Sequence, residues 1–75
     1  MSDRYYIVHP VNDELCYWTK YWWNSDISKA YKYKKGKTKR WWKDYTHIHV
    51  DDMPILLARR AVTQKPWLEL LRGYP

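Results

Sequence analysis

Fourteen of the 75 residues are Trp or Tyr and none is Phe. Every aromatic ring available to a core therefore carries an N–H or O–H, and each buried ring must satisfy that group or keep one end wet. A chain of 9.4 kDa has little room for alternatives. Its folded surface scales to roughly 5,000 Å² against about 13,600 Å² for the unfolded chain, which suits one small domain with one core. Some of Trp18, Trp22, Trp23, Trp41 and Trp42 must then be structural, and residues 1–75 read as a single small domain. No apolar run approaches the ~18 residues of a membrane helix. Met1-Ser2-Asp3-Arg4-Tyr5 has neither the basic start nor the apolar run of a secretory signal, and Cys16 is the only cysteine. These features predict no disulfide, no Cys-rich zinc site, no membrane partner and a cytoplasmic location.

The charge is concentrated. Fourteen Lys and Arg oppose eight Asp and Glu for a net +6, and residues 29–43 alone carry +8. That segment holds Lys29, Lys32, Lys34, Lys35, Lys37, Lys39, Arg40 and Lys43 without one acid, whereas residues 1–28 sum to −2 and residues 44–75 to zero. One basic block on a nearly neutral body directs its field at an acidic partner.

Arg4-Tyr5-Tyr6-Ile7-Val8-His9 is rich in β-branched and aromatic residues, and a turn cluster at 10–14 precedes Leu15-Cys16-Tyr17-Trp18-Thr19. The pattern predicts an antiparallel hairpin of strands 4–9 and 14–20. Ser25 or Asp26 can cap a short helical turn through Ala30. Thr46-His47-Ile48-His49-Val50 alternates with period two, as a half-buried strand does. Asp52 followed by Pro54 and a run of helix formers predicts a helix over 53–62. Pro66 interrupts it, and Trp67, Leu68, Leu70 and Leu71 predict a second short helix or turn ending at Gly73 and packing back on the sheet rather than serving as a docking or dimerisation surface. The fold class expected is α+β, a small antiparallel sheet of three or four strands packed on a C-terminal helix.

Single-stranded nucleic acid is held by cations along the phosphates and by aromatic faces under the bases. Lys29-Ala30-Tyr31-Lys32-Tyr33-Lys34-Lys35 and Lys39-Arg40-Trp41-Trp42-Lys43 interleave the two kinds of side chain around Lys37 and the loop glycine Gly36. If 31–35 and 39–43 pair as a hairpin arm, alternation puts Tyr31 and Tyr33 on one face and Lys32 and Lys34 on the other. Adjacent Trp41 and Trp42 point to opposite faces, which assigns Trp41, beside Arg40, to the surface. The competing reading is that the rings are core and the lysines merely solvated.

His47 and His49 project to the same side of a strand, and His9 with Cys16 could complete a ligand set on neighbouring strands. Two histidines on the wet side of a half-buried strand explain the spacing equally well, so neither metal nor cofactor is expected. Asp51 and Asp52 suit a helix N-terminus, where the dipole favours acids, and no catalytic constellation is assigned. Arg59, Arg60 and Arg72 complement helix C-termini or form a second cationic patch.

Cys16-Tyr17-Trp18 and Tyr21-Trp22-Trp23-Asn24-Ser25-Asp26-Ile27-Ser28-Lys29-Ala30 resemble the opening of small orphan accessory proteins of tailed phages and other mobile elements. In those, a strand pair leads into a tryptophan-bearing loop and an Asp-aliphatic-Ser-Lys-Ala turn. The resemblance implies a small intracellular accessory or host-interaction protein acting in the host cytoplasm, with no binding residues to carry over. The Lys/Tyr/Trp patch of 29–43 leads to the expectation of a non-catalytic binder of nucleic acid, single-stranded DNA or RNA, with little sequence specificity. The alternative is a phage-encoded protein that docks the same patch on an acidic surface of a host or defence enzyme and inhibits it.

Overall fold

The computed structural model describes residues 3–34, 44–72 and 74. Strands β1 (Arg4–Val11), β2 (Glu14–Trp18), β3 (Trp23–Asn24), β4 (Tyr33–Lys34) and β5 (Thr46–His49) form one antiparallel sheet, followed by helices α1 (Met53–Thr63) and α2 (Trp67–Arg72). The architecture is α+β, as the sequence pattern implies. Among the described residues the sheet has five strands, because β3 and β4, two residues each, are made by pairing and not by local pattern. Among the described residues no helix is long and apolar enough to cross a membrane.

β1 runs past its expected end at His9 through Pro10 and Val11, which pair with Leu15 and Glu14. Only Asn12 and Asp13 remain for the turn, with φ of 52° and 59°. Positive φ at both central residues is the signature of a type I′ hairpin turn, whose twist matches the flanking strands and which Asn and Asp tolerate. β2 stops at Trp18, two residues before its expected end.

Register explains how three strands share β1. Val8 faces Tyr17 of β2 and Thr46 of β5, while Tyr5 faces Tyr33 of β4 and His49 of β5. A strand residue has two edges, so β5 lines one edge of β1 and β4 takes up the other where β2 has left it. The Tyr31 N–H donating to the Trp18 carbonyl at 2.9 Å marks the handover.

Alternation then sorts the side chains. One face carries Tyr6, Val8, Leu15, Tyr17 and Ile48 against Met53 and Leu56 of α1 and Trp67, Leu70 and Leu71 of α2, and this is the main core. α2 thus packs back on the sheet through three of its four apolar residues, while Leu68 stays exposed. The opposite face is also apolar, with Ile7 and Tyr33 buried beneath Tyr5, Trp18, Trp23 and Tyr45. Trp18 therefore belongs to this second cluster, its ring 5.3 Å from Trp23.

Asp13 ties the hairpin turn to the joint between the helices. Its carboxylate accepts from the Trp67 N–H at 2.8 Å and from the Arg60 guanidinium at 2.9 Å. Arg60 also donates to the Lys65 carbonyl and lies 5.6 Å over the Trp67 ring. It thus bridges the hairpin turn and the link between α1 and α2. Gln64, at φ 56°, closes α1 by donating its N–H to Arg60, and Pro66 separates it from α2. Asp52 stands at the N-cap position but makes no side-chain capping bond; it accepts from the Tyr74 hydroxyl at 2.8 Å instead.

The Trp67 N–H above all, and Arg60 after it, hold the Asp13 carboxyl below its ordinary value of 3.8. A depressed folded-state pKa gives stability that is present above the ordinary value and lost as pH falls through the folded one. Asp13→Asn should therefore lower the thermal midpoint at pH 7, and the gap from the unaltered protein should close as pH is taken down from 3.8; melts at a series of pH values read both. Ile48→Ala, in the centre of the main core, should cost about 2–5 kcal/mol in urea unfolding.

Candidate nucleic-acid interface

β2 and β3 are joined by Thr19-Lys20-Tyr21-Trp22, closed by the cross-strand pair Trp18 and Trp23. Thr19 locks this loop. Its N–H and its hydroxyl both donate to the Trp22 carbonyl, at 2.8 and 2.7 Å, and its Oγ1 accepts from the Trp22 N–H at 3.1 Å. Lys20 sits at φ 88°, a conformation costing a non-glycine residue about 1–2 kcal/mol, which the threonine bonds offset. The result is a fixed tip on which Tyr21 is 83% and Trp22 73% exposed.

The next segment returns to this tip. Asn24 Oδ1 accepts from the Asp26 N–H at 2.8 Å, and Asp26 caps the 3-10 turn Ile27–Lys29 by accepting from the Ser28 N–H at 2.9 Å and the Ser28 hydroxyl at 2.8 Å. Those bonds hold the Asp26 carboxyl below its usual range, the Ser28 hydroxyl contributing most. The turn delivers Tyr31 beside Trp18, where the Lys20 ammonium lies 5.3 Å over the Tyr31 ring. Lys29, Tyr31, Lys32 and Lys34 are all exposed, and Lys32 reaches within 6.0 Å of the Tyr6 ring. The 19–22 tip thus meets Tyr31 through Lys20.

Tyr33 differs from the expectation. It is 3% exposed, paired with Tyr5 in the sheet, and its ring is closed in by Tyr5 and His47. Burial pushes its hydroxyl pKa far up, and the ring offers no face to a base. Tyr31 lies outside β4, so the two tyrosines do not share a strand face. The described base of the expected arm is thus built into the sheet. Lys35, Lys37, Lys39, Arg40, Trp41 and Lys43, with the Trp42 partition and the 39–43 strand, lie outside the described residues. Tyr21 and Trp22 lie outside the basic block and so outside the expected surface; their signal in the sequence is Thr-Lys-Tyr-Trp-Trp, more rings in a row than one strand face can bury.

All three histidines sit on the second face among rings. His9 lies 5.6 Å from Trp23 and 5.3 Å from Tyr45, His47 5.5 Å from Tyr33, and His49 5.1 Å from Tyr5. Cys16 is the cross-strand neighbour of His9, but no group of three or more His, Cys, Asp or Glu among the described residues is placed to hold a metal. Burial, with Glu14 second, raises the Cys16 thiol, the opposite of what activates a nucleophile. Asp51 turns back to His49, whose Nδ1 accepts from the Asp51 N–H at 3.1 Å. An open groove of about 330 Å³ between sheet and α2 is lined by His9, Tyr45, Leu68, Leu71 and Arg72 among others, and Cys16 is not in it.

No family model matches the chain, and neither a curated protein nor a solved structure matches it.

Because the exposed rings support nothing beneath them, Tyr21→Ala and Trp22→Ala should each leave urea stability within about 0.5 kcal/mol of the unaltered protein.

Proposed function

We propose that this protein binds single-stranded nucleic acid, DNA or RNA, with little sequence specificity and without catalysis. The observation that carries this reading is the Thr19-locked tip, which holds Tyr21 and Trp22 out on a loop whose Lys20 lies over Tyr31, in a chain where Lys29, Lys32 and Lys34 are exposed as well. Bases stack on the rings while the lysines follow the phosphates, and every base has a face to stack, so recognition is tolerant of sequence. A tip already fixed loses little conformational freedom on binding. The lysines of 35–43 extend the same positive charge along the chain.

The alternative use of this surface is docking on an acidic protein, in the manner of an inhibitor of a host enzyme. The exposed Trp and Tyr favour it too, since such rings dominate protein interfaces. The two readings part on salt and on ligand. If Lys20, Lys29, Lys32 and Lys34 each contact one phosphate, log K against log salt should have a slope near −3, from about −0.7 per contact. Trp22→Ala should raise the oligonucleotide Kd by about 5- to 150-fold, the equivalent of ~1–3 kcal/mol for one stacked base, and remove most of the tryptophan quenching. A salt slope near zero, or no oligonucleotide binding at physiological salt, discards the nucleic-acid reading in favour of the protein one.

A further inference from the structure

The open groove between the sheet and α2, about 330 Å³ in volume, falls at the lower end of small-molecule sites, which run roughly 300–1,000 Å³. That is room for one nucleotide. Its lining is mixed. Leu71, buried in the main core, supplies apolar surface. His9 and Tyr45 line it with rings 5.3 Å apart and inclined at 74°, a corner that offers a flat base one ring to stack on and another to abut. Arg72 enters from the end of α2 and Asp44 from just before β5, and both are exposed. Among the described residues neither charged group has an ion pair or a hydrogen bond. The groove also adjoins the tip, because Trp23, whose pairing with Trp18 closes the 19–22 loop, lies 5.6 Å from the His9 ring and 5.0 Å from the Tyr45 ring.

A ligand matched to this lining is flat, anionic at one point and a hydrogen-bond donor at another. Nucleotides meet the first two conditions, and the third discriminates among bases, since an ionised carboxylate only accepts. Among the common bases guanine alone presents two adjacent donors, N1–H and the N2 amine, which match the two oxygens of a carboxylate as the fork of arginine does. Adenine and cytosine set a ring-nitrogen lone pair beside their amine, and thymine or uracil flanks its one N–H with two carbonyls. We infer that the groove is a guanine-nucleotide site, with the base on His9 and Tyr45, its two donors on Asp44 and its phosphate on Arg72. The sugar keeps the phosphate away from the base edge that Asp44 receives, so the acid does not oppose it. The chemistry is the same for a nucleotide within a bound strand and for a free one. In the first case the inference rests on the proposed function and gives an otherwise tolerant interface one preferred base.

The test titrates the full chain, freed of nucleic acid by nuclease treatment and dialysis, with guanosine monophosphate and follows the aromatic proton resonances. Saturation with a Kd of about 0.1–1 mM is expected, and adenosine monophosphate should bind at least about fivefold more weakly, the lower bound for one bidentate base contact. Asp44→Asn should abolish that preference, and Arg72→Ala should reduce binding of the monophosphate to that of guanosine. Both positions are exposed, so both variants should keep their melting points. No saturation up to about 10 mM guanosine monophosphate overturns the proposal, as does equal affinity for the two nucleotides or a preference that survives Asp44→Asn. Trp22→Ala should leave the mononucleotide Kd unchanged, so failure of the tip to bind oligothymidylate and failure of the groove are read separately. One guanine placed within oligothymidylate identifies the source: tighter binding that Asp44→Asn removes assigns the site to the strand, and unchanged binding assigns it to the free nucleotide.

Discussion

β1 is covered on both faces and paired on both edges, and the rest of the fold follows from this. Tyr6 and Val8 look toward the helices while Tyr5 and Ile7 look toward a second layer of rings, so both faces of residues 5–8 carry a packed layer. A strand in that position must be apolar almost continuously, and Tyr5-Tyr6-Ile7-Val8 is. It also organises its neighbours, because β2, β4 and β5 each hydrogen-bond to it at a register that sends their own apolar residues to one layer or the other. The helices depend on the same strand through its turn. Asp13, held in the left-handed region by the hairpin, receives the first N–H of α2 and the guanidinium of α1, and so fixes where Trp67, Leu70 and Leu71 land on Tyr6 and Val8.

The absence of Phe leaves every buried ring with a polar end to place. Tyr74 donates its hydroxyl to Asp52 at the start of α1, where a shorter residue could not reach. Tyr6 and Tyr17 meet edge to face at 5.9 Å in the main core, and the second face is built almost entirely from Tyr, Trp and His in similar contacts. Rings in excess of what two small layers can bury appear at the 19–22 tip. The same composition that makes the core unusual therefore makes the exposed aromatic surface.

Local signals were legible wherever neighbours in sequence decide the structure. The alternation in 46–50, the helix formers after Pro54 and the Asx cap at Asp26 all act within a few residues, and β5, α1 and the 3-10 turn stand within one or two residues of where the pattern puts them. What was hidden depends on partners far along the chain. Tyr33 looks like one more ring in a lysine run, and only its pairing with Tyr5, twenty-eight positions earlier, takes it out of the candidate surface. Asp13 reads as a turn former, and nothing near it announces Trp67 and Arg60 as its partners. The candidate interface was legible in its chemistry, lysines and rings together, but not in its membership, because the 19–22 tip joins Tyr31 through the Tyr31–Trp18 hydrogen bond and the Lys20–Tyr31 contact.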